Sequence, residues 1–160
     1  MFTFLIEWAK NQAIEHGLWF LFVFSFTESV IQPIPVEPVL LALSLVHTGS
    51  PLTLILVSTL SSILGASFGY FLGKKYGHPA FLFVFRKHGK KWMESGEKFF
   101  EKWGIWAVFL CAFTPIPFKA AAWLSGIFEM KFLPFVAMAI FGRTLRFGMV
   151  VYGIDLFLSA

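Results

Sequence analysis

Two helix-breaking phrases constrain this chain more than any other feature: Pro33-Ile34-Pro35-Val36-Glu37 and Pro115-Ile116-Pro117-Phe118-Lys119. Each interrupts a run of residues otherwise apolar enough to sit in lipid. Proline removes a backbone donor and breaks the helical ladder, leaving polar main chain that hydrocarbon cannot satisfy. Two residues after the second proline of each copy stands a charge, acidic in the first and basic in the second. Helix breaks with charges, duplicated at membrane depth, are what transporters with internal repeats use to build a midplane binding site.

The composition leaves little room for a water-soluble fold. Hydrophobic residues make up 58% and charged ones 14%, with mean hydropathy +0.75, against about 45–50% and about 25% in globular domains. Twenty-two Phe and six Trp suit a lipid-facing surface. At this length one membrane domain over residues 1–160 is expected. The single Cys111 excludes an intrachain disulfide and cannot build a metal site alone, and His16, His47, His78 and His88 show no ligand spacing, so no metal or other cofactor is expected. Met1 to Lys10 carries Glu7 and lacks a basic leader, so no cleavable signal peptide is expected.

Pro51 to Gly73 is the clearest span, without a charge over 23 residues; this suffices for a hydrocarbon core of about 30 Å. Gly65, Gly69 and Gly73 recur at spacing four within it, preceded by Ser58, Ser61 and Ser62. Such a stripe predicts a face that another helix backbone approaches closely. Residues 74–102 hold Lys74, Lys75, Arg86, Lys87, Lys90, Lys91, Lys98 and Lys102 against Glu94, Glu97 and Glu101. That excess predicts the cytoplasmic side. The interleaved Phe81, Phe85, Trp92, Phe99, Phe100 and Trp103 predict amphipathic helices on an anionic leaflet. Apolar segments tether the run on both sides, which argues against nucleic-acid binding.

The arms flanking each proline phrase run about 10–14 residues, a length that suits re-entrant segments better than spans. The predicted fold is therefore an all-α integral membrane protein with two repeats. Each repeat is a re-entrant Pro-x-Pro helical hairpin followed by one transmembrane helix, Leu52–Leu72 in the first and Phe132–Leu156 in the second. Repeat 1 occupies about 18–73, the basic amphipathic connector 74–102, and repeat 2 about 103–158. With 74–102 cytoplasmic, the first hairpin enters from outside and the second from the cytoplasm, so the repeats are inverted. The alternative is a conventional bundle in which each proline segment is a kinked span.

Ionisable residues inside apolar segments cost about 2.5–3.5 kcal/mol each on insertion scales, so they are functional candidates by default. Here they are Glu28, Glu37, Lys119, Arg143 and Arg146. Glu37 and Lys119 occupy matching positions in the two copies, which predicts that they approach each other. Arg143 and Arg146 lie three apart, on one helix face, next to Gly142, which would admit a proline hairpin. Guanidinium forks suit phosphate; neutralising Glu28 and Glu37 is the plainer role. Lys74, Lys75 and Lys131 read as interface anchors. No Ser/His/Asp set, metal cluster or phosphate-binding loop is present, since the Gly69–Lys74 stretch lacks a Gly-Lys-Ser/Thr ending. An enzyme is not expected.

These pieces in order resemble the DedA family, part of the superfamily of SNARE-associated Golgi (VTT-domain) proteins. The matching residues are Glu28 with the first proline phrase, Gly65-Ala66-Ser67-Phe68-Gly69-Tyr70-Phe71-Leu72-Gly73-Lys74-Lys75-Tyr76-Gly77, Phe113-Thr114 with the second phrase and Gly126, and Gly142-Arg143-Thr144-Leu145-Arg146-Phe147. The likeness covers about residues 20–153. It implies a multi-pass protein of the bacterial inner membrane that moves undecaprenyl phosphate or phospholipids, with re-entrant hairpins in inverted repeats and protons as a candidate coupled ion. Better-known members carry an arginine three residues before the second hairpin's proline and another just after it. Here Ala112 holds the first place and Lys119 lies near the second, so the chain resembles a shorter, divergent branch. The leading expectation is a flippase-like transporter for an anionic phospholipid or polyprenyl phosphate. Its partners would be membrane lipids rather than nucleic acid. A non-transporting assembly scaffold and an ion or small-solute transporter are the alternatives.

Overall fold

The computed structural model describes residues 2–31, 34–45, 49–86, 88–114 and 116–159, with side chains placed within 16–153 of those. Pro33, Pro115 and His47 lie outside the described residues. Among the described residues seven helices follow in order: α1 (Phe2–Val30), α2 (Glu37–Leu45), α3 (Pro51–Val84), α4 (Gly89–Trp103), α5 (Trp106–Phe113), α6 (Phe118–Ile127) and α7 (Phe132–Ser159). No strand occurs among the described residues. The succession of helix, proline break, short helix and long helix occurs twice, as α1–α2–α3 and α5–α6–α7. Gly17 (φ 58°) kinks α1, so the arm that reaches the first break is only Leu18–Val30. At the start of α3, the Ser50 hydroxyl accepts from the Thr53 N–H at 3.2 Å and Pro51 fills the first turn, a sound N-terminus.

Among the described residues two helices are long and apolar enough to cross a membrane, Pro51–Val84 and Phe132–Gly153. Their surfaces show how. Leu52, Leu56, Leu60, Leu64, Phe68 and Phe71 form an exposed stripe along α3, and Ile140, Phe141, Leu145, Met149 and Tyr152 one along α7. The opposite face of α3 is buried and carries the small and polar residues Ser58, Ser61, Ser62, Gly65, Ala66, Gly69 and Gly73. Large apolar groups outside and small or polar ones inside invert the arrangement of a water-soluble helix. A hydrocarbon solvent accounts for the inversion, since apolar side chains gain nothing there by hiding from it.

The buried face packs tightly. Ser25 Oγ donates to the Ser58 carbonyl at 3.0 Å, and the Ser29 and Ser62 hydroxyls lie 2.6 Å apart, so hydroxyls stitch α1 to α3. Further along α3, a Cβ on Gly73 would collide with the Trp123 carbonyl of α6, and one on Gly126 with the Tyr70 carbonyl and, at 2.9 Å, the Lys74 nitrogen. The backbones of α3 and α6 therefore touch where only glycine fits. Gly126→Ala should destabilise the protein by about 1–3 kcal/mol through overpacking. Gly148→Ala, where a new Cβ meets nothing within 4 Å, should leave it near wild type. Thermal unfolding in detergent tests the pair, and equal melting temperatures would refute the contact.

The basic connector expected over 74–102 divides in two. Residues up to Val84 continue α3 beyond a kink at Gly77, whose φ of 61° favours glycine. Only α4 is a separate amphipathic helix: Trp92, Met93, Gly96, Phe99 and Phe100 face the protein, while Lys90, Lys91, Glu94, Glu97, Lys98, Glu101 and Lys102 are exposed. The two long helices pack on each other and on short helices from both halves of the chain: α3 chiefly on α1 and α6, α7 chiefly on α5 and α3, with a smaller contact to α2.

Candidate functional site

Along α7, Phe135, Ala139, Arg143, Phe147 and Val151 recur every fourth residue, and all are buried. The first two belong to one apolar core and the last two to the other. Arg143 stands between them, only 1% exposed. A guanidinium so placed must find a partner, and it finds Glu28 of α1: Arg143 Nη2 donates to Glu28 Oε2 at 3.1 Å. The Phe118 and Phe147 rings cover it at 4.4 and 5.4 Å from their centroids, contacts of cation–π type. Its Nε is buried with no hydrogen-bond partner among the described residues.

One turn further along α7, Arg146 ties the two proline breaks together. Its Nε donates to Glu37 Oε1 at 2.7 Å, Nη2 pairs with the same oxygen, and Nη1 donates to the Thr114 carbonyl. Glu37 is the first residue of α2, just after the first break; Thr114 ends α5, just before the second. Helix ends leave unpaired carbonyls that lipid cannot satisfy. Arg146 satisfies one, and Trp123 of α6 satisfies another, its Nε1 donating to the Val30 carbonyl at the end of α1 at 3.2 Å.

The sequence-predicted residues thus converge. Glu28, Pro35, Pro117, Lys119, Arg143 and Arg146 line one cavity of about 520 Å³, within the usual range for ligand sites of about 300–1,000 Å³. Matching positions suggested that Glu37 meets Lys119; the structure pairs Glu37 with Arg146 instead. Gly142 points away from the cavity: a Cβ there would lie 2.6 Å from the Ala112 Cβ and 3.0 Å from the Phe109 carbonyl of α5. That contact also accounts for Ala112, since a fully buried position against a glycine backbone has no room for arginine. Gly65 and Gly69 face the Phe26 carbonyl and the Trp123 ring, respectively.

Two lining residues escaped the sequence reading. His88 and Trp92 stack with ring centroids 5.4 Å apart at the cavity edge. Their spacing of four on a helix was legible, but both sit in a charged connector whose aromatics also serve a membrane interface. The Thr114 carbonyl was invisible for a simpler reason, because main-chain acceptors have no sequence signature.

The ends of the short helices differ in a way that matters for anions. The α2 N-terminus carries its own acid, Glu37, whereas the α6 N-terminus carries no acid and has Lys119 as its second residue. A helix N-terminus is electropositive and favours negative charge. With Glu28 and Glu37 against Lys119, Arg143 and Arg146, the ionised cluster sums to one positive charge.

Sequence comparison finds relatives of this chain among known proteins. The chain is 34% identical over 145 residues to an uncharacterised protein of Methanocaldococcus jannaschii, covering 91% of this chain and 88% of that one. It is 30% identical over 161 residues to an uncharacterised protein of Haemophilus influenzae, covering 94% and 77%. Undecaprenyl phosphate transporter A of Staphylococcus aureus is 26% identical over 143 residues, covering 83% and 70%. No solved structure matches the chain. The VTT domain family model matches residues 34–156, which include both long apolar helices, the second proline phrase and both arginines. This membrane protein belongs to the VTT-domain, or DedA, family.

Proposed function

We propose that the cavity between the two proline breaks binds the phosphate of an anionic membrane lipid and that the protein moves this lipid across the bilayer. The observation that carries the reading is the cationic excess of the cavity: the α6 N-terminus, Lys119, Arg143 and Arg146 line it, with Glu28 as the acid among its lining residues. Phosphate fits such a cavity, because it accepts from helix N–H groups and guanidinium forks together. The Staphylococcus aureus relative is named for transporting a lipid phosphate, which supports either a polyprenyl phosphate or an anionic phospholipid here.

The same reading takes the chain as one membrane domain of two inverted repeats, 18–73 and 103–158, joined by 74–102. The α1–α2 and α5–α6 pairs are re-entrant hairpins in it, with Pro33, Pro35, Pro115 and Pro117 as their turns. Support comes from the crossed packing of α3 and α7, which a two-fold relation between repeats produces. The protein sits in the cytoplasmic membrane with 74–102 on the cytoplasmic side. Glu28 and Glu37 exchange their arginine partners for solvent or lipid as access alternates, and they are the groups through which protons would couple.

Reconstitution into vesicles with a panel of fluorescent lipids tests the proposal. Lipids carrying an exposed phosphate should cross faster than in protein-free vesicles, and Lys119→Glu should abolish the difference. Equal rates for phosphate-bearing and neutral lipids, or none above background, would overturn it.

A further inference from the structure

A second cavity adjoins the charged one and has the opposite chemistry. It holds about 230 Å³ between α4, α5 and α6, and its walls include Phe99, Phe100, Cys111, Ala121 and Leu124, with Ser95 at an exposed rim. Trp92, Ile116 and Pro117 line both cavities, so the apolar slot begins where the charged cavity ends. The apolar face of α4 lines one side of the slot, and α4 meets α6 where Gly96 lies against Leu124.

We infer that this slot takes the first stretch of a single hydrocarbon chain whose phosphate occupies the charged cavity. The inference rests on the lipid-phosphate reading above and adds how the substrate is gripped. The adjacency of the two cavities carries it. A head group placed between Lys119, Arg143 and Arg146 can send its chain past Trp92 and Ile116 into this slot, whose surface is hydrocarbon-like except at the Ser95 rim. A chain that leaves the bilayer for the slot removes no further area from water, so what the slot adds is close packing contact and a fixed direction for the chain. The small Ala120 and Ala121 of α6 make the slot, because larger residues would close it against α4. A slot of this size is narrow for two chains side by side, so the site selects lipids that can present one chain at a time.

Photolabelling of the full chain in phosphatidylcholine vesicles tests this with decyl phosphates carrying a diazirine either beside the phosphate or at the far end of the chain. The head-group probe should label Phe118 and Trp92. The tail probe should label Phe99, Phe100 and Leu124, and a tail-diazirine decanol should label only outward residues, of which Leu133 and Phe141 are read. Ser95→Trp, which fills the slot from its exposed rim, should shift tail labelling to those outward residues. Head labelling in the cavity with tail labelling confined to Leu133 and Phe141 overturns the slot and leaves the phosphate site standing. Failure of the head probe to label the cavity overturns both. Unchanged slot labelling in Ser95→Trp also overturns the slot.

Discussion

Glu28→Ala should unfold this protein far more readily than the double change Glu28→Leu with Arg143→Met. Arg143 is almost wholly enclosed, its ion-pair partner is Glu28, and its Nε has no acceptor among the described residues. Removing Glu28 strands a cation between two apolar cores. Breaking a buried pair by deleting one partner costs about 3–5 kcal/mol, whereas replacing both with apolar residues of similar volume is neutral or stabilising. Total stability of a domain is about 5–15 kcal/mol, so the single change removes a large share of it. Methionine at 143 would continue the buried stripe of Phe135, Ala139, Phe147 and Val151. Thermal unfolding and the monodisperse fraction after detergent extraction should both fall sharply for Glu28→Ala and recover in the double variant. That variant should not transport, because the cavity has lost Arg143, one of the cations proposed to hold the phosphate. Glu28→Ala melting at the wild-type temperature would show that the pair is not structural.

Arg146→Lys should leave insertion and folding close to normal and strongly reduce transport. The guanidinium of Arg146 reaches Glu37 and the Thr114 carbonyl at once, a span that a planar fork provides and a point-like ammonium does not. The group is partly exposed, so the retained charge keeps most of its solvation. Losing one charge-assisted hydrogen bond is worth about 1.5–3 kcal/mol, equivalent to about 10- to 100-fold in an equilibrium or rate. If Arg146 only neutralised Glu37, lysine would suffice and transport would survive. Phospholipid binding to the same variant separates two mechanisms. A bridge that gates access between the proline breaks spares binding, whereas a direct phosphate ligand does not. Normal binding and normal transport together would remove Arg146 from the site.

Much of this architecture could be read from the chain alone, because lipid imposes strict rules on sequence. A charge-free run from Pro51 to Gly73 has few alternatives to a spanning helix, and prolines cannot sit mid-helix without freeing main-chain groups. Charges placed beside such breaks had to be answered, which is why Glu28, Glu37, Lys119, Arg143 and Arg146 stood out as a set before any contact was known. The glycine stripe likewise announced a close helix approach.

What the chain did not state was who answers whom. Sequence symmetry set Glu37 opposite Lys119, yet Arg146 takes Glu37 because the register of α7 against α2 decides which side chain reaches it. Gly142 and Arg143 are neighbours in sequence but face different elements, Ala112 and Glu28, since a helix turns about 100° per residue. The recruitment of His88 and Trp92, the capping of Val30 by Trp123, and the joining of a charged cavity to an apolar slot all depend on how α4 and α6 dock. Sequence determined the solvent, the breaks and the ionisable cast, because those follow from the local cost of placing each residue in hydrocarbon. Tertiary structure alone decided the pairing, because partners distant in sequence are selected by packing, and packing is a property of the whole chain.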